Sequence, residues 1–197
     1  MIGTSVTSEE TITSPSKDQG WLEETEIRPS SLEAAGNGRY LVNIGTGTTV
    51  CKGSTMCKKR CIYIGHVDSL SALTKNMTLQ FKQCSDVEKF VSLCEEERGW
   101  SRARALELIA HFMWSYDGTS TFLNLSTWTT NHSPSPNLAP ELVTNGPDLE
   151  AINFVAVMEI KTGDELLIDY REFNFPTFFK EYASENGFQD VRTAVMD

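Results

Sequence analysis

Two short segments bring together the side chains that could do chemistry. The first, NHSPSPN at residues 131–137, sets an amide, an imidazole and a hydroxyl side by side at Asn131, His132 and Ser133. Its two prolines fix φ and remove backbone donors, so we expect neither an ordinary helix nor a central strand there. The second, GDELLIDY at residues 163–170, ends on a carboxylate and a phenol. These groups could orient a substrate or serve as an acid or a base.

Hydrolytic and metal sites find little support in the sequence. A Ser/His hydrolase would use His132 or His111 with a serine, but no segment resembles a nucleophile elbow, and His111 lies in a helical pattern. The cysteines at positions 51, 57 and 61 are spaced more widely than zinc-binding pairs and lack a nearby fourth ligand. We therefore expect structural or incidental thiols and no metal site.

Composition and charge limit the classes of partner. The 197-residue chain carries a net charge of −10 with 40% hydrophobic residues. Such acidity argues against direct nucleic-acid binding and suits a basic partner such as a lysine-rich peptide, although acidity also simply favours solubility. No apolar run has the length of a signal peptide core or a membrane span, and the five cysteines are an odd number. We therefore expect an intracellular protein, cytoplasmic or nuclear, that is neither secreted nor membrane-bound.

The elements that must position these side chains follow the order β, then α, then β. Residues 1–20 hold eight Ser/Thr in their first 16 positions, which indicates a disordered tail before a domain at 21–197. Apolar spacing, caps and glycine stops predict helices at 86–99, 102–114 and 176–185. Strands are predicted at 40–44, 48–51, 61–64, 121–125, 151–158 and 165–168, with a turn at 45–47. The predicted fold is mainly β with an α insert (α+β), because this order is not the alternation of a doubly wound sheet.

A third segment completes a pattern typical of a known family. GNGRYLVNIGTGTTV at residues 36–50 alone favours a tight turn or the approach of a ligand to bare backbone. Followed by the Asn-His-Ser segment and then by Gly-Asp-Glu-Leu with its terminal Asp-Tyr, it resembles the SET domain of protein lysine methyltransferases. The resemblance covers roughly residues 26–175. It implies a SET-type fold of small curved β-sheets, in which the tyrosine strand and the Asn-His-Ser segment meet in a knot-like crossing.

The resemblance also implies a cofactor site. S-adenosyl-L-methionine is the expected cofactor, held near its amino acid end by the Asn131 side chain and near its adenine by the His132 backbone. Backbone contacts to the cofactor are expected from the glycine-rich segment, which contains Gly36, Gly38, Arg39 and Tyr40. Glu165 is expected to be structural and to hold the crossing together.

Tyr170 is the expected catalytic residue, by resemblance and by chemistry. Methyl transfer from a sulfonium to an amine is a straight-line displacement that needs alignment more than acid–base chemistry. Deprotonating a lysine at pH 7.4 costs about 4 kcal/mol, which a nearby carboxylate would increase and a neutral phenol would not. We therefore expect Asp169 to face away from the amine. Phe173 and Phe175 either line the lysine channel or pack the final helix onto the core.

Departures from the family pattern leave the substrate and the activity open. No Cys-rich zinc segment flanks the domain, so residues 171–197 are expected to cover the site instead. The insert at about 52–120, expected to be helical and variable, resembles no subfamily. The expected substrate is a basic lysine-containing protein, with a histone among the candidates. The alternatives to an active methyltransferase are a catalytically silent SET-like interaction module and an unrelated binding protein with coincidental motif matches.

Overall fold

Six stretches of the chain are described by the computed structural model: residues 21–32, 36–42, 49–74, 77–124, 130–146 and 148–187. The predicted tail at 1–20 and the predicted turn at 45–47 lie outside these stretches, as does the end of the expected covering segment, 188–197. Within the six stretches, no helix combines the length and the apolar character needed to cross a membrane.

Twelve strands and three α-helices form within these stretches. The strands are β1 (Thr25–Pro29), β2 (Asn37–Leu41), β3 (Thr49–Val50), β4 (Thr55–Tyr63), β5 (Met77–Phe81), β6 (Met113–Trp114), β7 (Thr121–Asn124), β8 (Asn131–His132), β9 (Leu138–Asn145), β10 (Asp148–Ala156), β11 (Ile160–Lys161) and β12 (Leu167–Ile168). The helices are α1 (Cys84–Arg98), α2 (Arg102–Phe112) and α3 (Thr177–Glu185). The predicted mainly β fold with helices between two β regions is confirmed.

Six of the strands form the largest sheet, in the order β6-β7-β5-β4-β10-β9. Its pairs are antiparallel except for β4 and β5, which are parallel. Pro140 lies in the edge strand β9, where a missing backbone donor is tolerated. Three further sheets have two strands each, formed by β1 with β2, β3 with β11, and β8 with β12. The chemistry-bearing segments lie on the smaller sheets.

The first helix, α1, was predicted well because residues next to its two ends mark its start and its stop. Gln83 and Asp86 form a capping box at the start of α1, and Gly99 ends the helix in the left-handed region at φ 63°. The four predicted core positions are all buried: Val87, Phe90, Val91 and Cys94. The prediction of a helix to Trp114 is wrong at its end, because residues 113–114 pair with β7 instead.

The region 52–120 contains α1 and α2, as expected of the insert, and also supplies β4 and β5 to the largest sheet. The nine-residue β4 begins six positions before the predicted strand at 61–64. Its inward positions include Lys59, which is fully buried. Because a polar lysine occupies an inward position, the sequence here lacks the alternation of apolar and polar residues that predicts a strand.

The C-terminal helix packs against the insert. Pro176 is the residue that precedes α3, within one position of the predicted start. The Tyr182 hydroxyl donates to Glu88 of α1 at 2.8 Å, and Glu88 accepts two hydrogen bonds from Arg102 of α2 at 2.6 and 2.7 Å. The segment after Tyr170 is therefore tied to both insert helices.

Candidate functional site

The Asn-His-Ser segment and the tyrosine segment lie side by side. Strand β8 pairs in parallel with β12, with Asn131 opposite Leu167 and His132 opposite Ile168. The pairing continues beyond the strands, since the Ser133 N–H donates to the Ile168 carbonyl at 2.9 Å. Of the predicted strand at 165–168, only the last two residues are a strand, and they are the ones that form this crossing.

Asn137 holds the crossing from the other end of the segment. Its side-chain N–H donates to the Glu165 carbonyl at 2.7 Å, and its Oδ1 accepts from the Leu167 N–H at 2.8 Å. One amide therefore satisfies the backbone donor and acceptor on either side of Leu166, as a neighbouring strand would. Pro134 and Pro136 have no backbone N–H to donate, so the Asn137 side chain adds bonds across the crossing to those that the main chain forms.

The Glu165 carboxylate is the centre of a hydrogen-bond hub. Oε1 accepts from the Ser30 hydroxyl at 2.7 Å and the Asn131 amide at 2.8 Å. Oε2 accepts from the Ser31 N–H at 2.9 Å and the Ser31 hydroxyl at 2.6 Å, and it shares the Tyr40 hydroxyl, 2.9 Å away, with the Pro29 carbonyl, which lies 3.0 Å from that hydroxyl. Burial alone would raise the pKa of this carboxyl, but the hydrogen bonds outweigh burial and lower the pKa to about 2. The hub joins β2 and the residues following β1 to both crossing segments, the structural role predicted for Glu165.

Gly38 is required by the hub. A Cβ on Gly38 would collide with Oε1 of Glu165 and lie 2.6 Å from its Cδ and 3.2 Å from the Asn131 amide nitrogen. No side chain fits between β2 and the hub, so the backbone of β2 approaches the carboxylate directly. Gly36 differs, since it is exposed, has φ 71° and has no atom within 4 Å of an added Cβ.

Arg39 and Tyr40 point to opposite sides of β2. The Arg39 side chain is buried, donates to the Thr25 hydroxyl at 2.7 Å and lies over the Trp21 ring. Its carbonyl accepts from the Leu166 N–H at 2.7 Å. The Tyr40 side chain faces the hub. The structure therefore places Gly38 and Tyr40 beside Asn131 and turns the Arg39 guanidinium away from them.

Tyr170 lies two residues after β12, and both its backbone N–H and its hydroxyl donate hydrogen bonds. Its backbone N–H donates to Nδ1 of His132 at 3.0 Å, and its hydroxyl donates to the Thr130 carbonyl at 2.7 Å. Burial raises the pKa of the phenol to about 12, so it stays neutral at physiological pH. Because its hydrogen points to Thr130, the lone pairs of the phenol oxygen are left for another donor.

The Asp169 carboxylate is turned to Arg171. It accepts from the Arg171 N–H at 2.9 Å and Nε at 2.8 Å, and hydrogen bonds from this arginine lower the pKa of the Asp169 carboxyl. Asp169 also lies 3.6 Å from Nδ1 of His132, too far for a hydrogen bond. That nitrogen already accepts the Tyr170 N–H, so the neutral imidazole carries its hydrogen on Nε2.

The two candidate channel aromatics have different neighbours. The Phe173 ring stacks on the Tyr170 ring, with centroids 5.1 Å apart and planes at 20°. The Phe175 ring stacks instead on Phe179 of α3, also at 5.1 Å. Both rings are buried. The structure thus brings Phe173 to the candidate catalytic residue and places Phe175 against the C-terminal helix.

Sequence reasoning missed three participants in the site. Ser30 and Ser31 supply three of the five hydrogen bonds to Glu165, and their only sequence signal is their position directly after Pro29 at the end of β1. Thr130 acts through its carbonyl, for which no side-chain pattern exists. No cluster of three metal-ligating side chains occurs among the described residues.

Comparison with known proteins identifies the family pattern and the fold. The family model of the SET domain matches residues 7–171. No curated protein gives a significant sequence match. Among solved structures, apo ctPRC2 with two substitutions in Ezh2, from the Polycomb Repressive Complex 2 of Chaetomium thermophilum, aligns with a TM-score of 0.50 at 16% identity over 81% of this chain. An autoinhibited ctPRC2 bound to S-adenosylmethionine aligns with a TM-score of 0.48 at 17% identity over 83% of this chain.

These solved chains are much longer than the present one. The chain spans 16% of the length of the first and 17% of the second. At such low identity the likeness shows the fold alone.

Proposed function

The chain belongs to the SET domain family, as its motifs predicted, and we propose that it transfers a methyl group from S-adenosylmethionine to a lysine side chain of a protein. The observation that carries this proposal is the state of Tyr170: a neutral phenol, fixed by its hydrogen bond to the Thr130 carbonyl, at the end of the crossing. Such a group positions an amine without stabilising its charged form.

The residues around Tyr170 favour a neutral amine. The phenol oxygen keeps lone pairs that accept a hydrogen bond from the amine while the phenol hydrogen stays on the Thr130 carbonyl. The nearest carboxylate in sequence, Asp169, accepts hydrogen bonds from the backbone N–H and the side chain of Arg171. A carboxylate beside the amine would raise the pKa of the lysine and oppose attack. The stacked Phe173 ring adds an apolar wall on one side of the phenol.

Asn131 fits one end of the proposed cofactor. Its two side-chain N–H groups donate to the Asn37 carbonyl at 3.1 Å and to Glu165 at 2.8 Å. The hub therefore fixes the orientation of the amide and leaves Oδ1 as an acceptor, which suits the ammonium of an amino acid. When bound, S-adenosylmethionine supplies a methyl group on a positively charged sulfur.

The backbone of the glycine-rich segment supplies the remaining proposed contacts. The carbonyls of Gly36, Asn37 and Arg39 already accept hydrogen bonds, from the Ser30 N–H, the Asn131 amide and the Leu166 N–H. We assign the cofactor contacts to the groups of residues 36–40 that these bonds leave available, and to the backbone of His132. The side chain of His132 has a different task, since it accepts the Tyr170 N–H.

The proposed substrate is a basic, lysine-containing protein. The net charge of −10 favours encounter with a positively charged peptide, and a histone tail is one such peptide. Phe173 is the proposed channel wall, whereas Phe175 packs the helix α3. The segment from residue 171 onward is proposed to cover the site, because α3 is anchored to the insert helices through Tyr182.

Radiolabelled methyl transfer tests the proposal. The full chain is incubated with labelled S-adenosylmethionine, a panel of histones and a cell extract, and cofactor binding is measured in parallel by calorimetry. Tyr170→Phe should fold and bind the cofactor normally while kcat falls by about 10²-fold, since the amine loses its alignment. Tyr63→Phe removes a hydroxyl that bonds to Asp86, outside the crossing, and should leave turnover unchanged.

The alternatives predict different results. If the chain binds no S-adenosylmethionine even at high concentration, the proposal is wrong and a catalytically silent interaction module is favoured instead. Unchanged turnover in Tyr170→Phe would remove Tyr170 from the catalytic role. Asn131→Ala should weaken cofactor binding by at least about tenfold, because a hydrogen bond to a charged group contributes about 1.5–3 kcal/mol. Equal affinity in this variant would show that Asn131 does not hold the cofactor.

A further inference from the structure

A buried serine of the insert contacts the segment that follows Tyr170. Ser115 comes directly after β6 and is fully buried. Its hydroxyl lies 2.6 Å from the Ser120 carbonyl oxygen and 2.7 Å from the Asn174 carbonyl oxygen. A hydroxyl has one hydrogen to donate, so Ser115 is the shared donor of two carbonyls 54 positions apart in the chain.

The turn that carries Ser115 is built to hold its shape. Asp117 accepts the Thr119 N–H at 2.9 Å and the Ser120 N–H at 3.0 Å. Gly118 adopts φ 71°, and a Cβ there would lie 2.5 Å from the side-chain nitrogen of Asn174. The turn therefore contacts Asn174 at two points. The Ser115 hydroxyl bonds to the Asn174 carbonyl, and Gly118 lies against the Asn174 side chain.

The contacted residue lies between the two stacked aromatics. Phe173 faces Tyr170 at 5.1 Å and Trp114 at 6.0 Å, and Phe175 faces α3. Holding the carbonyl of Asn174 fixes the main chain between these two rings. A shift of that carbonyl would therefore move the Phe173 ring relative to the phenol.

We propose that Ser115 is a positioning residue, which fixes Phe173 against Tyr170 by holding the Asn174 carbonyl. The importance of this contact for turnover rests on the proposed methyltransferase function, whereas its effect on the Tyr170 environment does not. Ser115→Ala leaves two carbonyls without their donor, and the segment moves to find another. A misplacement of about 1 Å at a reacting centre can lower a rate by about 10²-fold.

Fluorine NMR measures the effect without relying on activity. The full chain contains five tyrosines, so labelling with 3-fluorotyrosine gives five resonances, and Tyr170→Phe identifies the Tyr170 resonance by its loss. Because Phe173 stacks on this ring, Ser115→Ala should shift or broaden the Tyr170 resonance. It should also lower kcat by about tenfold to 10²-fold, with the KM for S-adenosylmethionine changed by less than about twofold.

Ser120→Ala is the matched control. It removes a hydroxyl from the same turn that is also buried and that accepts from Gln80 at 2.9 Å, but it keeps the Ser120 carbonyl and the Ser115 contact. The control should leave the Tyr170 resonance and kcat unchanged. Equal effects of the two variants on kcat and on the resonance would overturn the proposal, because they would reflect general damage to the turn.

The proposal and the proposed function fail in distinguishable ways. An unchanged Tyr170 resonance in Ser115→Ala overturns the positioning role whether or not the chain is an enzyme. If the Tyr170 resonance shifts in Ser115→Ala but the wild-type chain neither binds S-adenosylmethionine nor transfers methyl groups, the proposed function alone is overturned. If Ser115→Ala does not fold, Ser115→Cys replaces it, since a thiol occupies a similar space but is only a weak donor to the Asn174 carbonyl. No resonance shift in that variant would likewise overturn the positioning role.

Discussion

Replacing Glu165 with glutamine tests whether a charged hub holds the crossing. The carboxylate accepts five hydrogen bonds, two on Oε1 and three on Oε2. A glutamine has one oxygen, so its NH₂ group must face one of these two sets of donors. Hydroxyls can rotate to accept from it, but the Asn131 amide on one side and the Ser31 N–H on the other cannot. Either orientation therefore leaves a donor opposed by another donor.

The size of the effect follows from the carboxyl pKa. Glu165 is only 6% exposed, and its pKa falls from 4.5 to about 2 in the folded protein. Each tenfold change in proton affinity corresponds to about 1.4 kcal/mol, so the charged hub contributes about 3 kcal/mol to the free energy of unfolding at neutral pH. Because the folded-state pKa is lowered, this contribution is present above about pH 5 and is lost as the pH falls towards about 2.

Urea denaturation of wild type and Glu165→Gln across this pH range measures the contribution directly. At pH 7 the variant should be less stable by about 3 kcal/mol, and the difference should shrink below about pH 4.5 and vanish only as the pH falls towards about 2. Other carboxyls titrate in both proteins, so the difference between the two isolates Glu165. Glu159→Gln, a largely exposed glutamate, is the control and should change stability by less than about 0.5 kcal/mol. A difference that stays constant from pH 7 to pH 3 would refute the charged hub.

Two further changes probe the crossing. Gly38→Ala should lower the free energy of unfolding by more than about 2 kcal/mol in urea denaturation, because the added Cβ collides with Glu165. At Gly36 the added Cβ meets open space, so Gly36→Ala should cost only about 1–2 kcal/mol, for the positive φ of that residue. Equal costs at the two glycines would contradict a close approach at Gly38. Asn137→Ala should cost about 2 kcal/mol through the loss of its two backbone bonds, with the exposed Ser135→Ala as control below about 0.5 kcal/mol. Asn137 holds the crossing only if Asn137→Ala is the more costly of this pair.

The sequence predicted best those helices whose start and end are marked by neighbouring residues. The helix that ends at Gly99 and the helix that follows Pro176 were predicted within a few residues, because caps and stops lie in the same short stretch as the apolar face. The strand β9 was missed, since Pro140 and its polar neighbours hide the alternation of an edge strand. The start of β4 was missed because Lys59 occupies an inward position.

The site was predictable only where its motifs are contiguous. Asn131 and Tyr170 stand in recognisable segments, and the family resemblance placed those segments together. The hub could not be predicted in full, because Ser31 lies 134 positions from the Glu165 that it contacts. No periodicity links residues at such separations, and the Thr130 carbonyl belongs to the main chain rather than to a residue type.

The same long separations determine when the site can form during folding. The hairpin of β9 and β10 closes locally, whereas the hub must join Glu165 to Ser31 across 134 positions and to Asn131 across 34 positions. Closing long loops has an entropic cost that must be met before the contacts form, so non-local pairings come late. Refolding should therefore restore most of the backbone circular dichroism before it restores the proposed binding of S-adenosylmethionine. The crossing is therefore expected to form late in folding. A refolding molecule would gain its proposed cofactor site only after the locally closed parts of the chain have folded.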